Sequence, residues 1–438
     1  MSGRPNFIFI VADDLGFADL GCYGGRSAKF GPVSPVLDSL AADGILFTQG
    51  YANSPVCSPT RFALMTARYQ YRLRGAGEEP LSIRTRASAT LGLPPEHPTL
   101  PSLLKGAGYR TALVGKWHLG YPPHFSPLRS GYEEFYGPMS GGVDYFTHCG
   151  TNGDHDLWHG EQEVHETGYL TDLMSRRAVE WIDRMATQPA PFFLSLHYTA
   201  PHWPWETRDD ESIAQDVKDN LFHLHCGNIH TYHRMIHHMD EGIGWIMQAL
   251  RQHGADRNTL VVFTSDNGGE RFSDNWPLVG GKMDLTEGGI RVPWIAHWPQ
   301  AIAPAQVTQQ QCMTMDWSAT MLDAAGVAPD AAYPPDGVSL LPVLRGARPF
   351  HRPLHWRMKH RGQRAMRDGD WKYLRVDGHD YLFDLPQDER ERANKAGREP
   401  QRLSSMRDAW EEWNATMPAI PEDARVYPGF GAQDMPQR

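Results

Sequence analysis

The chain has 438 residues, of which 40% are hydrophobic and 21% are charged, and its formal net charge is -10 at neutral pH. This length exceeds the size at which a single hydrophobic core stops growing, so one large domain and a smaller one are expected. The acidic balance excludes a general nucleic-acid binder, which needs a basic face, and no apolar run approaches the roughly 20 residues of a membrane helix.

The cysteines and the first residues predict the cellular compartment. Residues 1–5 run directly into an apolar strand, which leaves no room for a signal peptide. We therefore expect a cytoplasmic protein, or a periplasmic or secreted one if a leader has been removed, and the sequence does not specify an oligomeric state. The cysteines are odd in number and too scattered for a disulfide framework, which favours a reducing compartment. They are Cys22, Cys57, Cys149, Cys226 and Cys312.

In the first three quarters of the chain, apolar runs of strand length alternate with segments of helical periodicity. This alternation predicts an α/β fold in which helices sandwich a large mixed, mostly parallel sheet. The predicted strands are residues 6–12, 44–48, 110–114, 191–197, 260–264 and 292–297. The predicted helices are residues 36–43, 100–105, 169–186 and 228–252.

The composition of the chain changes after about residue 340, where short segments rich in tryptophan and tyrosine are separated by Asp-Gly turns. Such segments predict a small antiparallel sheet, followed by one helix and an extended end. We therefore expect a catalytic domain over residues 1–335 and a carboxyl-terminal subdomain over residues 336–438.

Polar residues directly follow four of the predicted strands. In open α/β sheets, ligands bind outside the carboxyl ends of the strands, so these residues are expected to meet at one edge. The segments are Asp13-Asp14, Gly115-Lys116-Trp117-His118, Ala200-Pro201-His202 and Ser265-Asp266-Asn267.

The acidic residues of these segments predict a metal site. Asp13 and Asp14 are adjacent carboxylates that repel each other unless a cation neutralises them. Asp266 and Asn267 add two oxygen ligands, and a site made of oxygen ligands selects Ca²⁺ or Mg²⁺ over zinc. A lone Asp-Asp pair would more often cap a turn, but the second pair favours the metal.

Cys57 stands two residues before Pro59, a residue suited to the first turn of a helix that continues through residues 62–65. A helix amino terminus stabilises an adjacent oxyanion, and Arg61 lies one turn further on, where it would brace the site. Left unmodified, such a cysteine is expected to have a lowered pKa, as in cysteine phosphatases and proteases. A buried structural cysteine is the alternative.

Three of the remaining candidates lie at strand ends or turns and the fourth in a glycine-rich stretch. Lys116 and His118 would face one side of the chain if its backbone stays extended. They supply a fixed cation and a base. His202 is flanked by prolines, and Lys282 follows Gly280-Gly281. Taken singly, each lysine or histidine is more often a surface or core residue, and their shared position favours a functional role.

Together these segments resemble the type I, formylglycine-dependent sulfatases of the alkaline phosphatase superfamily, most closely the branch of arylsulfatase A and N-acetylgalactosamine-6-sulfatase. The likeness covers nearly the whole chain, including the carboxyl-terminal sheet. The matching motifs occur in the family's order. They are Asp13-Asp14-Leu15-Gly16, Cys57-Ser58-Pro59-Thr60-Arg61, Gly115-Lys116-Trp117-His118, Ala200-Pro201-His202, Ser265-Asp266-Asn267-Gly268 and Lys282 through Glu287-Gly288-Gly289.

The resemblance implies a sulfatase that hydrolyses an aryl or carbohydrate sulfate ester to an alcohol and inorganic sulfate. It implies that a maturation enzyme converts Cys57 to formylglycine, whose hydrate is the nucleophile. It further implies a Ca²⁺ ion, rather than Mg²⁺, bound by the modified Cys57 and by four side chains. These are Asp13, Asp14, Asp266 and Asn267.

The resemblance also implies roles for the basic residues. Lys116 and His118 would contact the formylglycine, and His202 and Lys282 would hold the sulfate and serve its leaving oxygen. Ser140 matches a serine of the family's site only loosely. Thr60 stands where the family commonly has serine, and Ala67 stands where it commonly has glycine. Both positions bear on recognition by the maturation enzyme.

Two other functions remain open at this stage. One is a formylglycine-dependent phosphodiesterase or phosphonate monoester hydrolase, and the other is a non-catalytic protein that binds sulfated glycans. The substrate is expected to meet an aromatic rim. Four arginines of one loop could read a second anionic group, but a solvated loop is the more frequent role of such residues. The rim candidates are Trp117, Trp158, Trp203, Trp205, Trp276, His148, His155 and His159, and the arginines are Arg72, Arg74, Arg84 and Arg86.

A cluster of histidines raises the alternative of a zinc or copper site. Only His233 and His237 have helical i, i+4 spacing, and the others scatter around the helix, so a surface or rim role is expected and no metal is assigned. The cluster comprises His223, His225, Cys226, His230, His233, His237 and His238.

Overall fold

The structure is a computed structural model of the chain. It describes residues 3–25, 30–73, 80–81, 85–217, 221, 227–422 and 424.

Sixteen strands form three sheets within the described residues. In chain order they are β1 (Asn6–Ala12), β2 (Ile45–Phe47), β3 (Gly50–Tyr51), β4 (Arg110–Gly115), β5 (Glu134–Gly137), β6 (Trp158–His159), β7 (Gln162–Glu163), β8 (Phe192–His197), β9 (Thr259–Ser265), β10 (Trp294–His297), β11 (Gln306–Thr308), β12 (Cys312–Met313), β13 (Leu354–Met358), β14 (Gln363–Asp368), β15 (Trp371–Val376) and β16 (His379–Asp384).

The largest sheet has ten strands in the order β11-β2-β10-β9-β1-β8-β4-β5-β6-β7. Its centre is parallel, because β1 pairs in parallel with both β8 and β9, and β4 pairs in parallel with β8 and β5. Strands β10, β6 and β7 run antiparallel to neighbours and make the sheet mixed. The predicted fold class is confirmed, and all six predicted strands are present.

Ten α-helices lie within the described residues, and several of them cover both faces of this sheet. In chain order they are α1 (Pro35–Ala42), α2 (Cys57–Thr66), α3 (Leu100–Gly106), α4 (Leu170–Met185), α5 (Glu211–Val217), α6 (Ile229–Gln252), α7 (Glu287–Ile290), α8 (Thr314–Ala325), α9 (Leu341–Leu344) and α10 (Pro400–Ala415).

The two faces of β1 show why this strand lies at the centre of the fold. Ile8 and Ile10 belong to the core that α4 and α6 cover, whereas Phe7 and Phe9 belong to the core that α2, α3 and α8 cover. Successive side chains of a strand point to opposite faces, so a strand buried on both faces needs an uninterrupted apolar run.

The carboxyl-terminal sheet is antiparallel, with β13 to β16 in sequential order, as the sequence predicts. Helix α10 packs on it through Trp410, which lies with Tyr373 and Leu382 in a small separate core. Strand β14 was not predicted. The boundary between residues 335 and 336 stays a prediction.

The described part of the chain contains no helix that is both long and apolar enough to cross a membrane. Cys22, Cys57, Cys149 and Cys312 are free thiols. Cys226 lies outside the described residues.

Candidate active site

The predicted site residues meet at the carboxyl ends of β1, β4, β8 and β9. Backbone hydrogen bonds join these ends directly. The amide of Asp13 donates to Ala200 O at 3.0 Å, that of Lys116 to His197 O at 2.8 Å, and that of Asp266 to Ala12 O at 3.1 Å. The expected convergence at one edge is therefore what the fold produces.

Cys57 is the first residue of α2 and is fully buried. Its Sγ atom lies 3.4 Å from Oδ1 of Asp13 and 3.9 Å from Oδ1 of Asp14. Burial and the charges of Asp13 and Asp266 raise the pKa of the thiol well above its ordinary value. The expectation of a lowered thiol pKa is wrong, because burial and the neighbouring carboxylates outweigh the charges of Lys116 and Lys282.

Arg61 lies one turn along α2 and is also buried. Its Nε and Nη2 atoms donate to Oδ2 of Asp266 at 3.1 and 2.8 Å, and its Nη1 donates to Lys116 O at 3.1 Å. The guanidinium therefore joins the ends of β9 and β4, two strands that β1 and β8 separate in the sheet, which is the bracing role that the sequence predicts.

Two lysines neutralise the adjacent carboxylates. Lys116 Nζ lies 2.5 Å from Oδ2 of Asp13, and Lys282 Nζ lies 2.7 Å from Oδ2 of Asp14. Burial raises the pKa of Asp14, but the charge of Lys282 and the hydrogen bonds that Lys282 and Asn267 donate outweigh burial and bring it to about 2. Both aspartates therefore lie in contact with a cation, and the carboxyl of Asp14 is ionised at neutral pH.

The donor set around Cys57 fits a hard divalent cation. The ligating atoms of Asp13, Asp14, Cys57 and His202 lie within 4.8 Å of one another. Asn267 donates its Nδ2 to Asp14 Oδ1 at 2.7 Å, while its own Oδ1 is buried and has no hydrogen-bond partner among the described residues. A buried amide oxygen left without a partner costs free energy that a cation would recover.

His202 is held as one tautomer. Its Nδ1 lies 2.7 Å from Trp203 O, a carbonyl that only accepts, so Nδ1 carries the proton. Its Nε2 then accepts from Lys282 Nζ at 3.2 Å. Burial and the charge of Lys282 lower the pKa of His202 to about 3, so the ring is neutral at physiological pH.

His118 is also neutral and buried. Its Nε2 donates to Leu81 O at 2.7 Å, and its Nδ1 has no hydrogen-bond partner in the described part of the chain. Burial and the charge of Lys116 lower its pKa well below the ordinary value. The backbone is not extended here, because His118 has a φ of 54°.

Two residues near the site were missed by the sequence reasoning. His197, at the end of β8, contacts Lys116 O through Nδ1 at 3.2 Å. Glu270 has a buried Oε2 with no hydrogen-bond partner among described residues, and burial raises its pKa to about 8. Glu270 could have been identified from the sequence, because it lies four residues after Asp266.

Half of the expected aromatic rim is wrong. Trp117 is buried in the core, and its indole N–H donates to Phe125 O at 2.8 Å. Trp203, Trp205 and His148 are buried as well, whereas Trp158 and His155 are partly buried and Trp276 and His159 are exposed.

The two arginines of the loop that the structure describes are paired with acidic residues. Arg72 bonds Asp336, and Arg86 lies 3.2 Å from Asp154. Arg74 and Arg84 lie outside the described residues.

The histidine cluster on α6 is not exposed to solvent along its whole length. His233 packs on Phe30 and His238 on Tyr169, and both are buried. His223, His225 and Cys226 lie outside the described residues.

A second group of potential metal ligands comprises His155, Glu163 and His165. Both ring nitrogens of His155 already contact backbone carbonyls, those of Thr147 and Val164, so its coordination of an ion would break one of these bonds.

Comparisons with known proteins agree with this geometry. The sulfatase family model matches residues 5–327. N-acetylgalactosamine-6-sulfatase of Sus scrofa is 35% identical over 372 residues, which cover 80% of this chain and 68% of that protein. Steryl-sulfatase of Mus musculus is 32% identical over 415 residues, covering 78% and 65% of the two chains. The crystal structure of Ps i-CgsB in complex with k-i-k-neocarrahexaose superposes with a TM-score of 0.84 at 32% identity, covering 94% of this chain and 93% of that one.

Proposed function

The chain belongs to the sulfatase family and hydrolyses sulfate esters, and from this premise we propose that it does so with a formylglycine formed from Cys57 and with a bound Ca²⁺ ion. The observation that carries the proposal is the contact of the Cys57 thiol with Asp13 and Asp14. A thiol between two carboxylates is a poor nucleophile, because its ionisation would add a third negative charge.

Cys57 is therefore better understood as a precursor. A maturation enzyme would oxidise its Cβ to an aldehyde, with loss of the sulfur and with molecular oxygen as the oxidant. The hydrate of formylglycine supplies one hydroxyl that attacks the sulfate sulfur and a second whose deprotonation expels sulfate and restores the aldehyde. Serine lacks that second hydroxyl.

The cation would be held by Asp13, Asp14, Asp266 and Asn267 together with an oxygen of the modified Cys57. Bound there, Ca²⁺ supplies positive charge that orients the nucleophile and offsets charge on the sulfuryl oxygens. Three buried cations, Arg61, Lys116 and Lys282, already face the three carboxylates, so a divalent ion gives the site the net positive charge that an anionic ester needs.

The remaining side chains bind the sulfate and move protons. Lys116 and Lys282 place ammonium groups beside the reacting residue, where they attract the sulfuryl oxygens. Because His202 Nε2 accepts from Lys282, a proton on Lys282 can reach the leaving oxygen directly or through the imidazole. His118 Nδ1, which has no hydrogen-bond partner among the described residues, accepts the proton of the second hydroxyl of the formylglycine hydrate.

We further propose that the substrate is a carbohydrate sulfate. Two relatives support this class: one is named N-acetylgalactosamine-6-sulfatase, and the other was solved with a neocarrahexaose. Aryl sulfates then serve as reporter substrates.

Intact-mass analysis of the purified protein tests the proposal. We expect the Cys57 peptide to show replacement of sulfur by oxygen with loss of two hydrogens, and a hydrazide probe to label it. Cys57→Ala and Cys57→Ser should both lose steady-state turnover of 4-nitrophenyl sulfate. Full activity in a preparation whose Cys57 remains a thiol would refute the formylglycine.

Relative rates on 4-nitrophenyl sulfate and on bis(4-nitrophenyl) phosphate test the reaction class separately. We expect the sulfate to be the better substrate in kcat/KM. A clear preference for the phosphodiester would instead support the phosphodiesterase alternative, with the nucleophile unchanged.

A further inference from the structure

The residue after Lys282 is held in an unusual backbone conformation. Met283 has a φ of 76°, which is the left-handed region. A residue with a side chain stays in this region only where its surroundings hold it there, and such residues concentrate at functional sites. The direction in which Lys282 leaves the backbone depends on this turn.

Hydrogen bonds hold both the backbone N–H and the backbone carbonyl of Met283. Its N–H donates to Pro55 O at 2.8 Å, two residues before Cys57. Its carbonyl accepts from Nε2 of Gln363 at 2.8 Å. The same Gln363 accepts from Leu285 N through Oε1 at 2.8 Å. One amide side chain therefore bridges the turn that carries Lys282.

Gln363 belongs to the carboxyl-terminal sheet, where it begins β14. It is 2% exposed, so water does not compete for its hydrogen bonds. Its position places the smaller sheet in direct contact with a loop of the catalytic centre.

A second contact fixes the other end of the same loop. Lys372 on β15 donates to Oε1 of Glu287 at 2.9 Å and lies 2.8 Å from Glu391. Glu391 in turn accepts from the backbone N–H of Glu287 at 2.6 Å. The segment from residue 282 to residue 287 is thus tied to the carboxyl-terminal sheet at both ends.

We propose that Gln363 is a positioning residue of the active site, and that through it the carboxyl-terminal sheet sets the position of Lys282 relative to the Cys57 segment and to His202. This proposal rests on the role of Lys282 in the proposed function. Gln363 acts only through the backbone of Met283 and Leu285.

The role of Lys282 gives this proposal a specific kinetic signature. Lys282 contacts His202 Nε2 at 3.2 Å, and the pair serves the leaving oxygen. A nitrophenolate leaves with little help from a proton, whereas a sugar alkoxide needs one. Displacement of Lys282 therefore lowers kcat/KM mainly for esters with poor leaving groups. Partial unfolding instead lowers kcat/KM for all esters by the same factor.

The test is the dependence of kcat/KM on the leaving group in Gln363→Met, a change that conserves volume and removes the bridge. We expect a loss of about tenfold or more on a sugar or alkyl sulfate but only about threefold or less on 4-nitrophenyl sulfate, the range that general acid catalysis provides. Equal losses on both substrates, or no loss on either, would overturn the proposal. If Gln363→Met does not fold, the shorter Gln363→Asn replaces it, because it cannot span both backbone groups.

Gln311→Met is the matched control. Gln311 also joins the main domain to the carboxyl-terminal sheet, through its Nε2 and Gly369 O at 2.7 Å, but it does not contact the Lys282 loop. We expect it to leave the leaving-group dependence unchanged, and a selective loss in this variant would count against Gln363. Turnover and the mass of Cys57 are measured first in the parent protein. If the parent protein shows no turnover, or if its Cys57 remains a thiol, the proposed function is refuted and the positioning role is not the cause.

Discussion

The Sγ atom of Cys57 lies 3.4 Å from Oδ1 of Asp13, the carboxylate that Lys116 also contacts. In the proposed function, the residue that becomes the nucleophile and the residues that hold the cation thus share one small volume. Binding of the ion and reactivity at residue 57 should therefore depend on each other.

The first prediction concerns binding of Ca²⁺. We expect the melting temperature to rise with CaCl₂ and to fall on chelation, since an ion at 100 times its Kd stabilises the folded state by about 2.7 kcal/mol. Asn267→Ala should lose most of this response, because it removes a buried amide oxygen that has no partner among the described residues.

Asn258→Ala is the control for that measurement. The Oδ1 of Asn258 is also buried without a partner among the described residues, but its Nδ2 donates to Gly3 O, beyond the amino-terminal end of β1 and not at the carboxyl end that carries Asp13. The control variant should keep the response to Ca²⁺. A larger shift with Zn²⁺ than with Ca²⁺ would contradict the assignment of a hard cation.

The second prediction concerns Arg61. Arg61→Met leaves the buried carboxylate of Asp266 without its two guanidinium bonds. Breaking a buried ion pair from one side costs about 3 to 5 kcal/mol, so we expect a loss of that order in the free energy of unfolding in urea.

The exposed pair of Arg361 and Asp377 provides the comparison, because both side chains are about half exposed. Arg361→Met should cost about 1 kcal/mol or less, as solvent-exposed pairs do. Equal small losses in the two variants would show that Arg61 does not have the bracing role.

These contacts show why part of the site could be predicted from the sequence. The run from Asn6 to Ala12 is apolar without interruption, which identifies a strand buried on both faces. Once the sheet is parallel, the strand ends must share an edge, so Asp13, Lys116, His202 and Asp266 converge without further information.

Other features depend on tertiary contacts that leave no local signal. Strand β14 reads Gln-Arg-Ala-Met-Arg-Asp, and nothing in that pattern shows that Arg367 is buried and bonds Gln49. Trp117 was expected at the rim, yet its indole N–H donates to a backbone carbonyl in the core. The raised thiol pKa of Cys57 likewise depends on carboxylates distant in sequence.

The third prediction concerns His118, whose Nδ1 has no partner in the described part of the structure. If it accepts the proton in the step that expels sulfate, His118→Ala should slow steady-state turnover by about 10²- to 10⁴-fold. Release of the first equivalent of 4-nitrophenol should remain fast and appear as a burst in stopped-flow absorbance. A variant that loses the burst together with the steady state would place His118 in the first step instead.

The last prediction concerns a buried carboxyl pair beside the His202 segment. Glu206 is fully buried, accepts from Tyr145 N at 3.2 Å, and hydrogen-bonds Asp144. Burial, followed by the charge of Asp144, raises the pKa of Glu206 from 4.5 to about 9. Asp210 adds to this effect, so the carboxyl is protonated in the folded protein at neutral pH.

The pH dependence follows from the raised pKa of Glu206. In the unfolded chain Glu206 loses its proton near its ordinary pKa of 4.5, whereas the folded protein keeps it until about 9, so the folded state binds more protons across this window. Its contribution to stability is complete below the unfolded pKa and is lost as the pH rises, by at most about 1.4 kcal/mol per pH unit.

Glu206→Gln keeps a donor toward Asp144 but does not titrate. The free energy of unfolding of the variant minus that of the parent should therefore increase by about 1 kcal/mol or more between about pH 5 and about pH 8. A difference that is the same at both pH values would show that Glu206 is ionised in the folded protein.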